Sequence, residues 1–207
     1  MTTKIKFCGI SRSEDIEAAI ELDVYAMGLV FYPPSPRAVS IDKARALSEQ
    51  CSGLITRVGL FMNQDARIIK QVLCEVELDM LQFHGEEEEQ FCQSFKKPYI
   101  KSIAMGSESD FSKAKQYHSA AALLLDSNEL GKPGGSGKAF DWTKVPESIQ
   151  KPIFLAGGLN PDNVAEAVCK VRPFAVDVSS GIESDKGIKD ITKMSQFVQA
   201  VRASDEC

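Results

Sequence analysis

Two residues capable of acid–base chemistry close short apolar runs of the sequence. Cys8 ends the run Ile5-Lys6-Phe7, and Asp126 follows three consecutive leucines. A thiolate acts as a base or nucleophile when its pKa is lowered, and burial raises the pKa of a carboxyl so that it serves as a general acid near neutral pH. A buried structural thiol and a turn-forming aspartate are the alternatives. As a pair, Cys8 and Asp126 could shuttle protons across a small substrate, as in an aldose–ketose isomerisation.

Three further polar residues are candidates, and each has a structural alternative. Arg37 lies in a proline-rich loop whose rigidity would hold the guanidinium ready to bind a carboxylate through two parallel hydrogen bonds. The alternative is a solvent-exposed side chain without a role, as for most loop arginines. His84 either donates to a substrate or holds its own loop, with the second favoured. Asp177 either points into a site or pairs with a neighbour. The glycine-rich residues 131–138 form either a lid or a plain connector.

Two glycine-containing loops near the end of the chain suit an anion. Gly157-Gly158 follows one apolar run and Ser180-Gly181 follows the next. Backbone N–H groups in such loops, especially before a helix, bind phosphate. One Gly-Gly pair is more often a turn, but two successive loops match the phosphate position after strands 7 and 8 of a (β/α)8 barrel.

The elements that position these residues alternate along the whole chain. Apolar runs too short for helices predict eight buried parallel strands, each followed by a helix or a helix-sized connection. The strands are predicted at residues 5–8, 25–31, 55–61, 80–83, 98–103, 122–126, 153–156 and 174–178. With no linker or composition shift, residues 1–207 are predicted to form a single (β/α)8 TIM-barrel domain. An open doubly wound sheet is the alternative.

Composition excludes several classes of protein. The net charge of −5 and the pI near 5.2 argue against a nucleic-acid surface. Six scattered cysteines without a C-x-x-C pair, and only two histidines, predict reduced thiols and no metal cluster. Neither a signal peptide nor a membrane span is visible, so a soluble cytoplasmic protein is expected. The acidic residues 86–89 are predicted to be the solvated first turn of a helix.

These residues in their order resemble the phosphoribosylanthranilate isomerase family of tryptophan biosynthesis. The matching pieces are Lys6-Phe7-Cys8-Gly9-Ile10, Ser35-Pro36-Arg37, Leu81-Gln82-Phe83-His84-Gly85, Gly134-Gly135-Ser136-Gly137, Phe140-Asp141-Trp142, Leu155-Ala156-Gly157-Gly158-Leu159 and Val176-Asp177-Val178-Ser179-Ser180-Gly181-Ile182-Glu183. Phe7 and Phe83 stand where the family often has an aliphatic residue, beside the chemical positions rather than on them.

The resemblance implies an Amadori rearrangement of N-(5-phosphoribosyl)anthranilate to 1-(2-carboxyphenylamino)-1-deoxyribulose 5-phosphate. It implies Cys8 as general base, Asp126 as general acid and Arg37 as the carboxylate binder. Gly157, Gly158, Ser180 and Gly181 would bind phosphate, with His84 and Asp177 as other substrate contacts. No metal and no organic cofactor are implied. The expected partner is a small phosphorylated substrate, and the expected assembly is a monomer or a homodimer.

Two other functions remain open at this point. Another phosphosugar isomerase or epimerase on the same barrel would use the same phosphate loops, although two histidines are few for a metal-dependent epimerase. A non-catalytic phosphometabolite-binding barrel is the second alternative, against which Cys8 and Asp126 speak. The sequence does not tell whether a related histidine-pathway aminoaldose is also accepted.

Overall fold

A closed parallel barrel forms the centre of the computed structural model, which describes residues 2–105, 114–127, 141–145 and 149–204. Within those residues, eight strands pair in chain order, and β1 pairs with β8 to close the barrel. The strands are β1 (Lys4–Cys8), β2 (Ala26–Val30), β3 (Thr56–Phe61), β4 (Met80–Phe83), β5 (Tyr99–Ala104), β6 (Ala122–Asp126), β7 (Ile153–Leu155) and β8 (Ala175–Val178). The (β/α)8 barrel prediction is confirmed, with no strand end shifted by more than one residue, which is within the usual uncertainty of boundaries.

Helices cover the outside of the barrel. In the described part of the chain they are α1 (Ser13–Glu21), α2 (Ile41–Gln50), α3 (Ala66–Glu75), α4 (Glu89–Gln93), α5 (Val164–Val171) and α6 (Ile191–Ser204). Single 3-10 turns occur at Ala114–Gln116, Trp142–Lys144 and Ser180–Ile182. A small antiparallel hairpin of β9 (Glu183–Asp185) and β10 (Ile188–Lys189) separates β8 from α6, and the sequence did not predict it.

Alternation along each strand decides which side chains enter the barrel. In β6, Leu123 and Leu125 pack outward under the helices, while Ala122 and Leu124 belong to the inner cluster. Successive strand residues point to opposite faces, so Asp126 continues the inner row beyond Leu124. The same parity places Lys6 and Cys8 of β1 inward, with Phe7 outward. Polar side chains therefore gather where the inner rows reach the carboxyl ends of the strands.

The acidic residues 86–89 differ from the prediction in two respects. Helix α4 begins only at Glu89, and Glu87 is buried rather than solvated. Its carboxylate accepts from the backbone N–H groups of Asn63 and Gly85 and lies 3.4 Å from the Lys101 ammonium. Lys101, on β5, is itself buried and also donates to the Gly85 carbonyl, and a buried ammonium requires a counter-ion. Glu87 is therefore buried because its carboxylate pairs with the Lys101 ammonium on β5.

In the described residues no helix is long and apolar enough to cross a bilayer. The thiol prediction holds for four cysteines, because Cys8, Cys51, Cys74 and Cys92 are free. It is wrong for Cys169, which is disulfide-bonded.

Candidate active site

One pocket opens at the carboxyl ends of the strands and gathers the predicted site. Of the described residues, its wall includes eight of the nine predicted site residues: Cys8, Arg37, His84, Asp126, Gly157, Gly158, Asp177 and Ser180. Tyr32, Leu60, Met62 and Leu159 add an apolar surface. This is the end of the barrel where the active sites of (β/α)8 enzymes lie.

The Cys8 thiol lies beside a buried ammonium. An added Cβ on Gly28 would stand 3.0 Å from the Cys8 Sγ and 3.2 Å from the Lys6 Nζ, so both atoms occupy the space that this glycine leaves. Burial raises the pKa of the Cys8 thiol, the Lys6 ammonium opposes this rise, and the Asp177 carboxylate adds to it. The condition for a reactive thiolate, a lowered Cys8 pKa, is therefore not met, because desolvation exceeds the effect of the neighbouring cation.

Lys6 is a site residue that the sequence analysis missed. Its Nζ donates to the Asp177 Oδ1 at 2.8 Å, and both residues are buried. Burial disfavours its charge, but Asp177 and Cys8 together outweigh that effect and the pKa of Lys6 is raised. Lys6 and Asp177 are direct neighbours across the β1–β8 pairing. Of the two options for Asp177, the structure shows the paired one, with Asp177 still forming part of the pocket wall.

Asp126 is held by the histidine that follows β4. The His84 Nε2 lies 3.4 Å from the Asp126 Oδ2, and the His84 Nδ1 lies 3.2 Å from the Gln82 Nε2. Gln82 is fully buried, and its Oε1 has no hydrogen-bond partner among the described residues. Gln82 lies in the pocket wall, where its side chain orients the His84 ring that faces Asp126. A single glutamine within a strand gives little sequence signal for such a role.

Arg37 reaches the pocket from the loop after β2, and its guanidinium makes a bidentate pair with the Glu183 carboxylate. Its Nε and Nη2 donate to Glu183 Oε1 and Oε2 at 2.7 and 2.8 Å, and these hydrogen bonds raise the pKa of Arg37. Burial opposes the charge of Glu183, but Arg37 and Lys189 outweigh it and its pKa is lowered. The loop is organised as predicted. Its partner, 146 positions away, was not predicted.

The two predicted phosphate loops meet beside the same pocket. Gly157 and Gly158 have φ of +88° and +68°, and an added Cβ on Gly157 would overlap Ser127. Gly181 lies just behind Ser180, where a Cβ would overlap the Leu159 carbonyl and push the loops apart. Glycine is therefore required for the two loops to approach each other. Residues 131–138, predicted as lid or connector, lie outside the described residues.

Among the described residues, no group of three or more His, Cys, Asp and Glu side chains is arranged to hold a metal ion. What the pocket does hold is a thiol beside an ammonium, a carboxyl beside an imidazole, an arginine fork and two glycine loops. These groups suit proton transfer on an anionic substrate.

Comparison with known proteins gives consistent matches over nearly the whole chain. The family model described as N-(5'phosphoribosyl)anthranilate (PRA) isomerase matches residues 5–200. The N-(5'-phosphoribosyl)anthranilate isomerase of Nitrosococcus oceani is 50% identical over 202 residues, covering 97% of this chain and 98% of that protein. Phosphoribosyl anthranilate isomerase from Thermotoga maritima has a crystal structure with a TM-score of 0.89 at 36% identity, covering 97% of this chain and 99% of that one.

A further solved structure carries a ligand. It is phosphoribosyl anthranilate isomerase in complex with reduced 1-(o-carboxyphenylamino)-1-deoxyribulose 5-phosphate, at a TM-score of 0.86 and 35% identity, covering 97% of this chain and 99% of that one. The closed barrel and its acid–base pocket define this chain as a (β/α)8-barrel enzyme. The matches are too long and too similar for the fold alone to account for them. The chain belongs to the N-(5'-phosphoribosyl)anthranilate isomerase family.

Proposed function

We propose that this enzyme converts N-(5-phospho-β-D-ribosyl)anthranilate to 1-(2-carboxyphenylamino)-1-deoxy-D-ribulose 5-phosphate, a step of tryptophan biosynthesis. One observation supports it above the others: a thiol from β1 and a carboxyl from β6 line the same pocket as an arginine fork and two glycine loops. The substrate carries the matching groups, namely a ring to open, a carbon to deprotonate, a carboxylate and a phosphate.

The proposed reaction proceeds by two proton transfers. Asp126 donates a proton to the furanose ring oxygen as the C1–O bond breaks, and the nitrogen lone pair forms the C1=N bond of a Schiff base. The Cys8 thiolate then removes the C2 proton. The released electron pair forms the C1=C2 bond and returns the C=N pair to nitrogen. The enolamine tautomerises to the ketone. Each transfer by a placed side chain contributes on the order of 10² to 10⁴ in rate.

The remaining residues hold the substrate between these two groups. Arg37 binds the anthranilate carboxylate through the N–H groups that Glu183 leaves free. The backbone of Gly157, Gly158, Ser180 and Gly181 binds the phosphate. Anchoring both ends of the substrate converts the acid–base step into an effectively unimolecular one. His84 and Asp177 are proposed as further substrate contacts, in addition to their pairing with Asp126 and Lys6.

The test is a fluorescence assay with two single variants. Anthranilate, phosphoribosyl pyrophosphate and the corresponding transferase generate the unstable substrate, and its fluorescence disappears as this enzyme consumes it. Cys8→Ser and Asp126→Asn are each expected to lower kcat by at least about 10². Cys51→Ser is the matched control, since Cys51 is equally buried but packs against Met27. Near-native turnover by either site variant would remove that residue from the mechanism, and no turnover by the parent would refute the activity.

The same assay separates the alternatives. Turnover of other phosphosugars without turnover of this substrate would favour a different isomerase or epimerase. Tight binding of a product analogue without any turnover would favour a phosphometabolite-binding barrel. Including the histidine-pathway aminoaldose as a second substrate tests whether both are accepted.

The proposed reaction needs no external electron acceptor, because one carbon is oxidised as its neighbour is reduced. We therefore propose that it runs without metal or cofactor, and dialysis against EDTA is expected to leave kcat unchanged. We further propose that residues 1–207 fold as one domain, and that the protein is a cytoplasmic monomer or homodimer. Light scattering of the purified protein tests the assembly.

A further inference from the structure

Glu183 stands directly behind the arginine of the proposed carboxylate subsite. Its carboxylate accepts hydrogen bonds from the Arg37 Nε at 2.7 Å and from the Arg37 Nη2 at 2.8 Å, and its side chain is only 5% exposed. A bidentate carboxylate fixes the plane of a guanidinium as well as its position. The Nη1 group and the second Nη2 proton of Arg37 then remain for the pocket, which Arg37 lines.

The glutamate is in turn fixed by the hairpin that follows β8. The Lys189 Nζ donates to Glu183 Oε1 at 2.8 Å and to the Ser179 carbonyl at 3.0 Å. The Lys193 Nζ donates to the Glu183 carbonyl at 2.7 Å. Hairpin and arginine loop are also packed together, because an added Cβ on Gly187 would stand 2.8 Å from the Pro36 carbonyl oxygen. Glu183 therefore has little freedom to move away from Arg37.

The charges leave the arginine attractive to an anion. One carboxylate, Glu183, lies between two cations, Arg37 and Lys189, so the buried trio carries a net positive charge. Glu183 thus orients Arg37 without cancelling its charge. A guanidinium whose side-chain freedom is already lost before binding costs less to order when a ligand arrives.

We propose that Glu183 is the positioning residue of the carboxylate subsite, holding the Arg37 fork in the plane that recognises a substituent carboxylate on an aromatic amine. This inference rests on the proposed function and identifies which group enforces the preference for a carboxylated substrate. A free arginine would attract any anion, whereas a fixed fork selects a planar carboxylate at one place.

The experiment compares two ligands that differ by one group. Isothermal titration calorimetry measures binding of the reduced product analogue bearing a 2-carboxyphenyl group, and of the same compound bearing phenyl. Their affinity ratio reports the carboxylate subsite alone. Arg37→Ala is expected to bring this ratio close to one. Glu183→Gln is expected to lower the ratio about tenfold, the usual scale for one hydrogen-bonded charge, while affinity for the phenyl ligand stays the same.

Three further variants sharpen the result. The double variant Arg37→Ala with Glu183→Gln should match Arg37→Ala, because residues acting as a unit are non-additive. Glu183→Asp keeps the negative charge beside Lys189 but has a shorter side chain that no longer reaches Arg37. It should also lower the affinity ratio, and it replaces Glu183→Gln in the experiment if that variant folds poorly. Asp185→Asn, on the exposed side of the same hairpin, is the control that should change nothing.

Each unfavourable outcome has its own meaning. If Arg37→Ala brings the affinity ratio close to one while Glu183→Gln and Glu183→Asp leave the ratio at its parent value, the positioning role is wrong and the proposed function stands. If the Glu183 variants weaken both ligands equally, Glu183 only supports the fold and the inference is overturned. If Arg37→Ala leaves the ratio unchanged, the carboxylate subsite itself is wrongly placed, and the inference fails with it.

Discussion

Replacing Lys6 should change how activity depends on pH. In the proposed reaction the thiolate is the form of Cys8 that removes a proton, and burial holds the pKa of Cys8 above its ordinary value of 9.0. The value of kcat/KM should therefore rise with pH through neutrality and level off only above the ordinary pKa of a thiol. Lys6 opposes the burial effect, so its loss should move this limb to still higher pH.

The magnitude follows from the crowding around Gly28. Two unit charges about 4 Å apart interact by roughly 4 kcal/mol at an effective dielectric constant near 20. The Lys6 ammonium and the Cys8 sulfur share the space beside Gly28, and Asp177 cancels part of the effect of Lys6, so removing both charges is expected to lower kcat/KM at pH 7 about tenfold. Lys6→Met alone would leave Asp177 buried and unpaired, at a cost of about 3 to 5 kcal/mol in stability. The variant to measure is therefore Lys6→Met with Asp177→Asn.

The assay is the pH profile of kcat/KM from pH 6 to 10.5. The double variant should approach the parent rate at high pH and fall behind it near neutrality. Asp177→Asn alone is not the variant to compare, because it leaves the buried Lys6 ammonium without its carboxylate. A uniform loss at all pH values, with the limb unmoved in the double variant, would refute the reasoning and leave Lys6 a structural residue.

Three other predictions follow from contacts around the barrel. Gly28→Ala should lower kcat about tenfold, because the new methyl would crowd Cys8 Sγ and Lys6 Nζ. An unchanged kcat would mean that neither atom needs its present position. Lys101→Met should lower the free energy of unfolding in urea by about 3 to 5 kcal/mol, because it leaves Glu87 buried without its cation. Adding Glu87→Gln should recover most of that loss, and an equally unstable double variant would contradict the pairing. The folded-state pKa of Glu183 is below its ordinary value, so its contribution to stability is present above about pH 4.3 and is lost as pH falls through the lowered pKa. Glu183→Gln should therefore show a shallower loss of Tm between about pH 5 and 2, and an identical acid slope would contradict it.

Much of the site could be predicted because strand ends are local features. The positions of Cys8, His84 and Asp126 follow from where apolar runs stop, and the barrel brings all such ends to one face. Lys6 was missed although the signal was present. It shares the strand parity of Cys8, and a lysine inside a buried strand requires a counter-ion.

The pairings could not be predicted, because they join residues far apart in the chain. The Arg37–Glu183 fork depends on the β9–β10 hairpin, which is too short to leave a periodic pattern. Glu87 was misjudged for the same reason: the four acidic residues 86–89 look alike in sequence, and only the position of Lys101 selects one of them for burial. The direction of the Cys8 pKa likewise depends on burial, which spacing does not reveal.

The pairing of β1 with β8 has a consequence for how the enzyme matures. The sulfur stands on the earliest strand, while its electrostatic neighbour Asp177 and the loop of Ser180 come from the latest one. During synthesis the chain must therefore emerge as far as β8 before the proposed catalytic centre can form. Turnover consequently requires that β1 has paired with β8 and closed the barrel. An activity assay during refolding can therefore follow this last step, which a spectroscopic measurement of helix content would not detect.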